Sequence, residues 1–248
     1  TQTNEVTDLY MLYAIKKERA EAPVSGDQVV AAAALPYSPG EALSSPANAR
    51  KHLKLMVAGL DADLVRLKEI NNLAGKQDLK RIELLPKYQE YVQRYCESGL
   101  NFPNRVVVQV MVWLFDTAQF DDALELADFL MEQGQQMPER FKRRDLQTFV
   151  ADAVCEWAYA EYKAQRSPEP YLSDLLPRVD GEWDLTEQIP SKYHKLIGMR
   201  AIEAGQLETA LKHLERSTEL YAQAGNDTRI EKVRKALAKQ AAAKPATE

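Results

Sequence analysis

A chain of 248 residues with 45% hydrophobic and 28% charged side chains holds enough apolar material for one large or two modest globular domains. Its apolar runs fall well short of the roughly 18 residues that a membrane span needs, which argues against an integral helical membrane protein. The net charge of −5 argues against a surface that is basic all round, so a polyanion would have to be gripped by a local basic patch.

Residues 4–21 read as a short amphipathic helix through Leu9, Leu12 and Tyr13, without the basic and hydrophobic regions of a signal peptide. Residues 22–47 carry Pro23, Gly26, Pro36, Pro39, Gly40 and Pro46 among several serines, the composition of a linker or extended arm. Leu53, Val57, Leu60, Leu64 and Leu67 then follow a 4-3-4-3 step, which predicts a helix with a coiled-coil-like seam for self-association; ordinary core packing is the competing reading. Gly75 predicts an interruption and a restart near Asp78. Pro86 predicts a kink or a fresh helix start.

Val110, Val112, Trp113 and Leu114 fill the next helix. After a break at Asp116-Thr117-Ala118-Gln119, a second runs Phe120, Ala123, Leu124, Ala127 and Leu130 at three- and four-residue steps. Gly134 stops that helix and Pro138 bars its resumption. Arg140, Lys142, Arg143 and Arg144 follow within five positions, and so many like charges repel one another unless solvent or a polyanion compensates. Residues 146–166 predict a further helix with Phe149, Val150, Ala153, Val154, Trp157 and Ala160 inward, and 167–190, with four prolines, reads as mostly loop around one helical turn at 171–176. The last part reads as a hairpin, 193–204 and 207–221, joined at Gly205-Gln206 and followed by a polar helix from about Asp227. Gly205-x-Leu207-x-x-Ala210-Leu211 resembles the turn of a tetratricopeptide repeat, and Ala118-x-Phe120-x-x-Ala123-Leu124 is a weaker version of it.

The fold class expected is therefore all-α. It comprises an arm and linker (1–47), a helical self-association region (48–98), a hairpin core with the basic cluster (99–166), a proline-rich linker (167–190) and tetratricopeptide-like C-terminal hairpins (191–248).

Little in the chain points to chemistry of its own. His52, His194 and His213 are scattered, and Cys96 and Cys155 lie within helical patterns as reduced thiols of a cytoplasmic protein, so neither a metal nor a cofactor is expected. Asp116, Asp121, Asp122, Glu125 and Asp128 invite comparison with a two-metal nuclease centre, but carboxylates in a first helical turn and on a solvated face account for them. No catalytic residue is assigned. No glycine-rich phosphate loop with its lysine occurs, so ATP hydrolysis would belong to a partner. Arg50, Lys51 and Lys54 form a second basic candidate, and Lys76, Lys80 and Arg81 a third; no helix-turn-helix with a recognition helix is apparent.

Between about Ser45 and Lys235, the anchors Leu84-Leu85-Pro86, Val110 to Gln119, the Met137-Pro138 step with its basic run, and the Gly205 hairpin together resemble the small terminase subunit family of temperate contractile-tailed phages, also called the terminase endonuclease subunit. The resemblance implies a ring-like homo-oligomer in the host cytoplasm. It would bind double-stranded viral DNA near the cohesive-end site and present it to the large subunit that carries the ATPase motor. On that reading Arg140, Lys142, Arg143 and Arg144, with Arg50, Lys51 and Lys54, contact DNA, and Leu53, Val57, Leu60, Leu64 and Leu67 mediate oligomerisation. The alternative is a helical repeat adaptor that binds protein partners only, and a third class is an autonomous nuclease.

Overall fold

The computed structural model of the protein describes residue 43 and residues 45–141 and 145–243; the helix expected over 4–21 and most of the linker expected over 22–47 lie outside the described residues. Among the described residues the secondary structure is helix joined by turns, without a strand, and the chain is all-α. It divides into two compact units, one ending at Val110 and the other beginning at Met111.

The first unit is built on helix α1, Pro46–Glu69. Ser45 caps it, its hydroxyl accepting from the Asn48 amide at 3.2 Å, and Pro46 takes the first helical position, where a missing N–H costs nothing. Helix α2, Leu73–Leu79, begins earlier than the Asp78 expected from the glycine signal, because Asn72 caps it through a 2.6 Å bond from the Gly75 amide. A Cβ on Gly75 would lie 2.9 Å from Asn72 Oδ1, so the glycine serves the cap rather than breaking the helix. The helix does not stop at Pro86. Proline cannot donate to the Ile82 carbonyl, and its ring would crowd that group; the chain instead widens into a π-helical turn, Lys80–Leu84, closed by the Leu85 amide on the Lys80 carbonyl, and runs on as α3, Leu85–Glu97.

Tyrosines at three- and four-residue spacing make α3 the inner wall of this unit. Tyr88, Tyr91 and Tyr95 are all buried, and each hydroxyl has a partner: Asp63 at 2.8 Å, the Asn104 side chain at 2.9 Å and the Phe102 carbonyl at 3.0 Å. Asp63, on α1, is itself buried and also accepts from Lys87 at 2.6 Å and Arg66 at 3.1 Å. With the paired bonds from Arg66 to Glu83, these contacts lay α1 antiparallel to the π turn and α3.

Helix α4, Arg105–Asp116, carries the chain into the second unit, which continues through α5, Phe120–Glu132, and α6, Leu146–Lys163. The segment expected to be mostly loop around one helical turn at 171–176 carries one short helix there. Leu172, Leu175 and Val179 are buried at three- and four-residue steps, and that apolar stripe holds onto the core both α7, Tyr171–Pro177, and the π turn that follows it, Arg178–Glu182, which the Trp183 amide closes on Arg178 O at 2.8 Å and whose backbone leaves helical geometry at Asp180 and Gly181. Helices α8, Gln188–Glu203, and α9, Leu207–Leu220, form the expected hairpin, and α10, Asp227–Ala243, packs Ile230 and Val233 against Ala201, Ala210 and Leu214. Gly198 sits where α8 and α9 come closest: a Cβ there would lie 2.8 Å from Leu214 Cγ.

Two of the turns share one geometry. At α8/α9 the Gly205 amide bonds to Ile202 O and the Gln206 amide to Ala201 O; at α4/α5 the Ala118 amide bonds to Phe115 O and the Gln119 amide to Leu114 O. Both are Schellman endings whose C′ residue is left-handed, Gly205 at φ 72° and Ala118 at φ 59°. The buried Ala123 and Ala210 occupy matching places in the helices that follow.

Candidate nucleic-acid interface

The basic run lies between two fixed points. Helix α5 ends in a third Schellman turn, with Gly134 at φ 65° and the Gln135 amide bonded to Leu130 O. After Pro138 a 3₁₀ turn, Glu139–Phe141, closes through the Phe141 amide on Pro138 O at 2.8 Å. The Phe141 ring meets Phe149 edge-on at 5.5 Å, Phe149 meets Phe115 at 5.7 Å, and Phe115 meets Phe120 at 5.9 Å. This chain of rings ties the turn to the core. On the other side, Asp145 caps α6 by accepting from the Thr148 amide at 2.6 Å.

Arg140 is exposed, with its guanidinium over the Phe141 ring at 4.6 Å. That stacking holds the charge at the surface while leaving the planar donors open to an anion. Lys142, Arg143 and Arg144 lie outside the described residues.

Arg50, Lys51 and Lys54 are exposed on the first turns of α1, in the other unit. Lys76 is half-buried, Lys80 is 9% exposed, and Arg81 pairs with Asp78 at 3.7 Å, so the third candidate is not a set of free surface cations. Of the residues assigned to an oligomer seam, Leu60 and Leu67 are buried at 1% and 7% exposure, and Leu53, Val57 and Leu64 are half-buried. The chain covers most of that stripe itself.

A profile of the family described as "Phage small terminase subunit" matches residues 57–188, more than half of the chain. The chain belongs to the phage small terminase subunit family. It is 30% identical over 182 residues to the "Terminase, endonuclease subunit" of Escherichia phage P2, an alignment covering 73% of each chain. It is 35% identical over 147 residues to the "Probable terminase, endonuclease subunit" of Haemophilus phage HP1 (strain HP1c1); that match covers 59% of this chain and 52% of the relative, so the chain spans about half the length of that relative. No solved structure matches. Within this small terminase chain the family match takes in the basic run at 140–144 and stops short of Arg50, Lys51 and Lys54.

Two of the acidic residues of α5 are engaged individually. Asp121 accepts from the Tyr171 hydroxyl at 2.9 Å and Asp128 pairs with Arg178. Burial, reinforced by the neighbouring carboxylate in each case, pushes Asp122 and Glu125 above the usual carboxylate range. Among the described residues no group of three or more His, Cys, Asp or Glu side chains is placed to hold a metal ion. Neither Cys96 nor Cys155 is in a disulfide among the described residues, and burial pushes Cys155 up to about 12.

Two histidines that the sequence leaves scattered are brought together. His194 and His213 approach through their Nδ1 atoms, and His194 Nε2 lies 2.9 Å from Asp180, which Arg216 grips with two bonds of 2.9 and 3.0 Å. Asp180 stands in the π turn after α7, a segment with no polar pattern to mark it.

Proposed function

We propose that this chain is the DNA-recognition subunit of a phage terminase, binding double-stranded viral DNA near the cohesive-end site and presenting it to the large subunit for packaging. Family membership over residues 57–188 carries the reading. The basic run supports it: four cations fall within residues 140–144, on a segment whose flanks are pinned by Phe141 and Asp145. Cations set between fixed flanks suit phosphate contact, which positions a protein on a duplex without reading its sequence. Arg50, Lys51 and Lys54 supply further contacts, and self-association in a ring would repeat both patches around the DNA. An assembly with net charge −5 per chain can still present a basic rim. The setting we propose is the host cytoplasm, and ATP hydrolysis is left to the large subunit, since no glycine-rich phosphate loop occurs in the sequence.

Fluorescence anisotropy with labelled cohesive-end duplex and a scrambled duplex, across a salt series, tests the reading. Binding that weakens steeply with salt is expected. A chain that shows no DNA binding at low salt, yet binds the purified large subunit, is the protein-only adaptor instead.

A further inference from the structure

Four of the five large hydrophobic side chains exposed among the described residues lie in the first unit: Leu55 at 60%, Val65 at 55%, Leu73 at 69% and Ile82 at 75%. Leu55 and Val65 belong to a second stripe on α1. Lys51, Leu55, Ala58, Ala62, Val65 and Glu69 follow a 4-3-4-3-4 step, and all six are exposed. The stripe has the same period as Leu53, Val57, Leu60, Leu64 and Leu67 but is shifted by two residues, which turns it about 200° around the helix. One heptad stripe faces the chain's own core, and the other faces away from it.

The outward stripe reads the same in both directions. When two copies of α1 are set antiparallel about a twofold axis at the level of Leu60, Leu55 falls opposite Val65 of the second copy and Ala58 opposite its Ala62, with each pair occurring twice. At both ends Lys51 falls opposite Glu69. Neither Lys51 nor Glu69 makes an ion pair among the described residues. The central alanines have no side chain beyond Cβ, so the two backbones can approach closely.

The remaining charges agree with this arrangement. Asp61 is held by Arg105 at 2.7 Å and Arg66 by Glu83 at 2.6 Å, so both flanking groups are already neutralised within their own chain. Lys54 and Lys68 fall at the solvent rim, where salt screens them. A parallel pairing would set Lys51 against Lys51 and Glu69 against Glu69, and it is disfavoured on charge alone.

We propose that two copies of this chain associate through the Lys51–Glu69 face of α1, antiparallel, with Leu55 and Val65 as the apolar anchors and reciprocal Lys51 and Glu69 ion pairs at the ends. Such a contact is isologous and closes at two, so it is distinct from any head-to-tail contact that builds a ring. It engages Lys51, one of the α1 cations proposed above to meet DNA, so a paired α1 leaves Arg50 and Lys54 to that role. The seam runs from Lys51 to Glu69, 19 residues of helix and about 27 Å from first to last, and is short for an interface, so reversible and concentration-dependent association is expected.

The test uses the full chain, sedimentation velocity over a range of concentrations, and circular dichroism to verify helix content. Leu55→Asp should abolish the concentration-dependent step, since the side chain is exposed in the single chain and its replacement leaves the fold intact. Lys51→Glu should weaken association at least tenfold, and Lys51→Glu combined with Glu69→Lys should restore it, because the swapped charges meet again across the twofold axis. In mixed oxidised samples, chains carrying Ala58→Cys should cross-link to chains carrying Ala62→Cys above the wild-type background, while each alone should not. The proposal is overturned if association is unchanged by Leu55→Asp, if the double charge swap fails to restore it, or if Ala58→Cys chains cross-link efficiently to one another.

Discussion

The Nδ1 atoms of His194 and His213 lie 2.8 Å apart, and the neighbours of the pair dictate which one carries the proton. Two bonds from Arg216 hold the Asp180 carboxyl below the usual range, so Asp180 is ionised and can only accept. His194 must therefore donate from Nε2, which leaves its Nδ1 as the acceptor in the neutral ring. His213 then donates from Nδ1. A chain of donors thus runs from His213 through His194 to Asp180 and ties α9 and α8 to the π turn after α7. Selective nitrogen NMR near pH 8 should find His194 as the Nε2–H tautomer and His213 as the Nδ1–H tautomer.

The same pair makes the stability of the second unit pH-dependent. Burial lowers both histidines from 6.5; His194 is lowered despite the opposing pull of Asp180, and His213 falls to about 4 with help from His194 and Lys212. A histidine depressed in the folded state binds its proton more readily when unfolded, so its contribution is complete above the unfolded value and is lost as pH falls. For His213 the loss runs from about 6.5 down to about 4. After allowance for its partial exposure, on the order of 1 kcal/mol, or a few degrees in Tm, should disappear between about pH 7.5 and 5. His213→Gln should flatten that slope, and an unchanged slope would show that other groups set it.

Ala118 occupies a left-handed position that glycine fills in the matching turn at Gly205. An L-residue there costs roughly 1–2 kcal/mol, against which glycine gives back part through its looser unfolded chain. Ala118 is exposed, so truncation removes no packing. Ala118→Gly should therefore stabilise the protein by about 0.5–1 kcal/mol, and Gly205→Ala should destabilise it by about 1 kcal/mol, in urea unfolding. Opposite signs at equivalent positions are the signature of shared turn geometry.

Which features could be read from the sequence follows from their range. The α4/α5 and α8/α9 hairpins show in the chain because small residues and turn residues sit within a few positions of one another. The all-α class follows from the three- and four-residue apolar steps. Asn72 overrode the Gly75 signal because a cap acts over three residues, and Pro86 was absorbed by a π turn because α3 had tyrosines to bury on both sides of Tyr91. The histidine pair could not be read, since Asp180, His194 and His213 come from three elements. Of the candidate interface, the density of cations was visible, but the ring-to-ring anchoring of Phe141 was not. Leucines mark the inward stripe of α1, whereas alanines and a lysine–glutamate pair disguise the outward one.

Asp63 should be the most sensitive polar residue of the first unit. Burial alone would raise its carboxyl, but hydrogen bonds from Lys87, Tyr88 and Arg66 outweigh it and hold the group below the usual range. Its contribution is therefore present above about pH 4 and is lost as pH falls further. Asp63→Ala removes the acceptor of the Tyr88 hydroxyl, on a side chain at 0% exposure, while Lys87 can turn to water. A loss of about 2–3 kcal/mol is expected in urea unfolding. A loss below about 0.5 kcal/mol would show that the network is replaceable by water.

The relatives carry endonuclease names, and the acidic residues of α5 are where such an activity would be sought. Asp121 and Asp128 are engaged by Tyr171 and Arg178, and both Asp121 and Asp122 lie in the first turn of α5, where the helix dipole favours them. The purified chain should leave plasmid DNA intact with magnesium or manganese. Cleavage that copurifies with the chain and vanishes in Asp121→Asn/Asp122→Asn would move the chemistry onto α5.

Neutralising Arg143 and Arg144 together should weaken specific and nonspecific duplexes alike, because phosphate contacts carry no base information. The slope of log affinity against log salt should flatten by about one unit for each phosphate that the variant no longer neutralises. Arg140→Ala separates two roles of the neighbouring residue. If its guanidinium meets phosphate it should flatten the slope by a similar amount, whereas removing the stacking on Phe141 alone should lower Tm and leave the slope unchanged. Helix content and sedimentation should match the wild type in each variant. If affinity stays constant across the salt series for the double variant, the run at 140–144 is a solvated or protein-docking face, and Arg50, Lys51 and Lys54 become the residues to neutralise next.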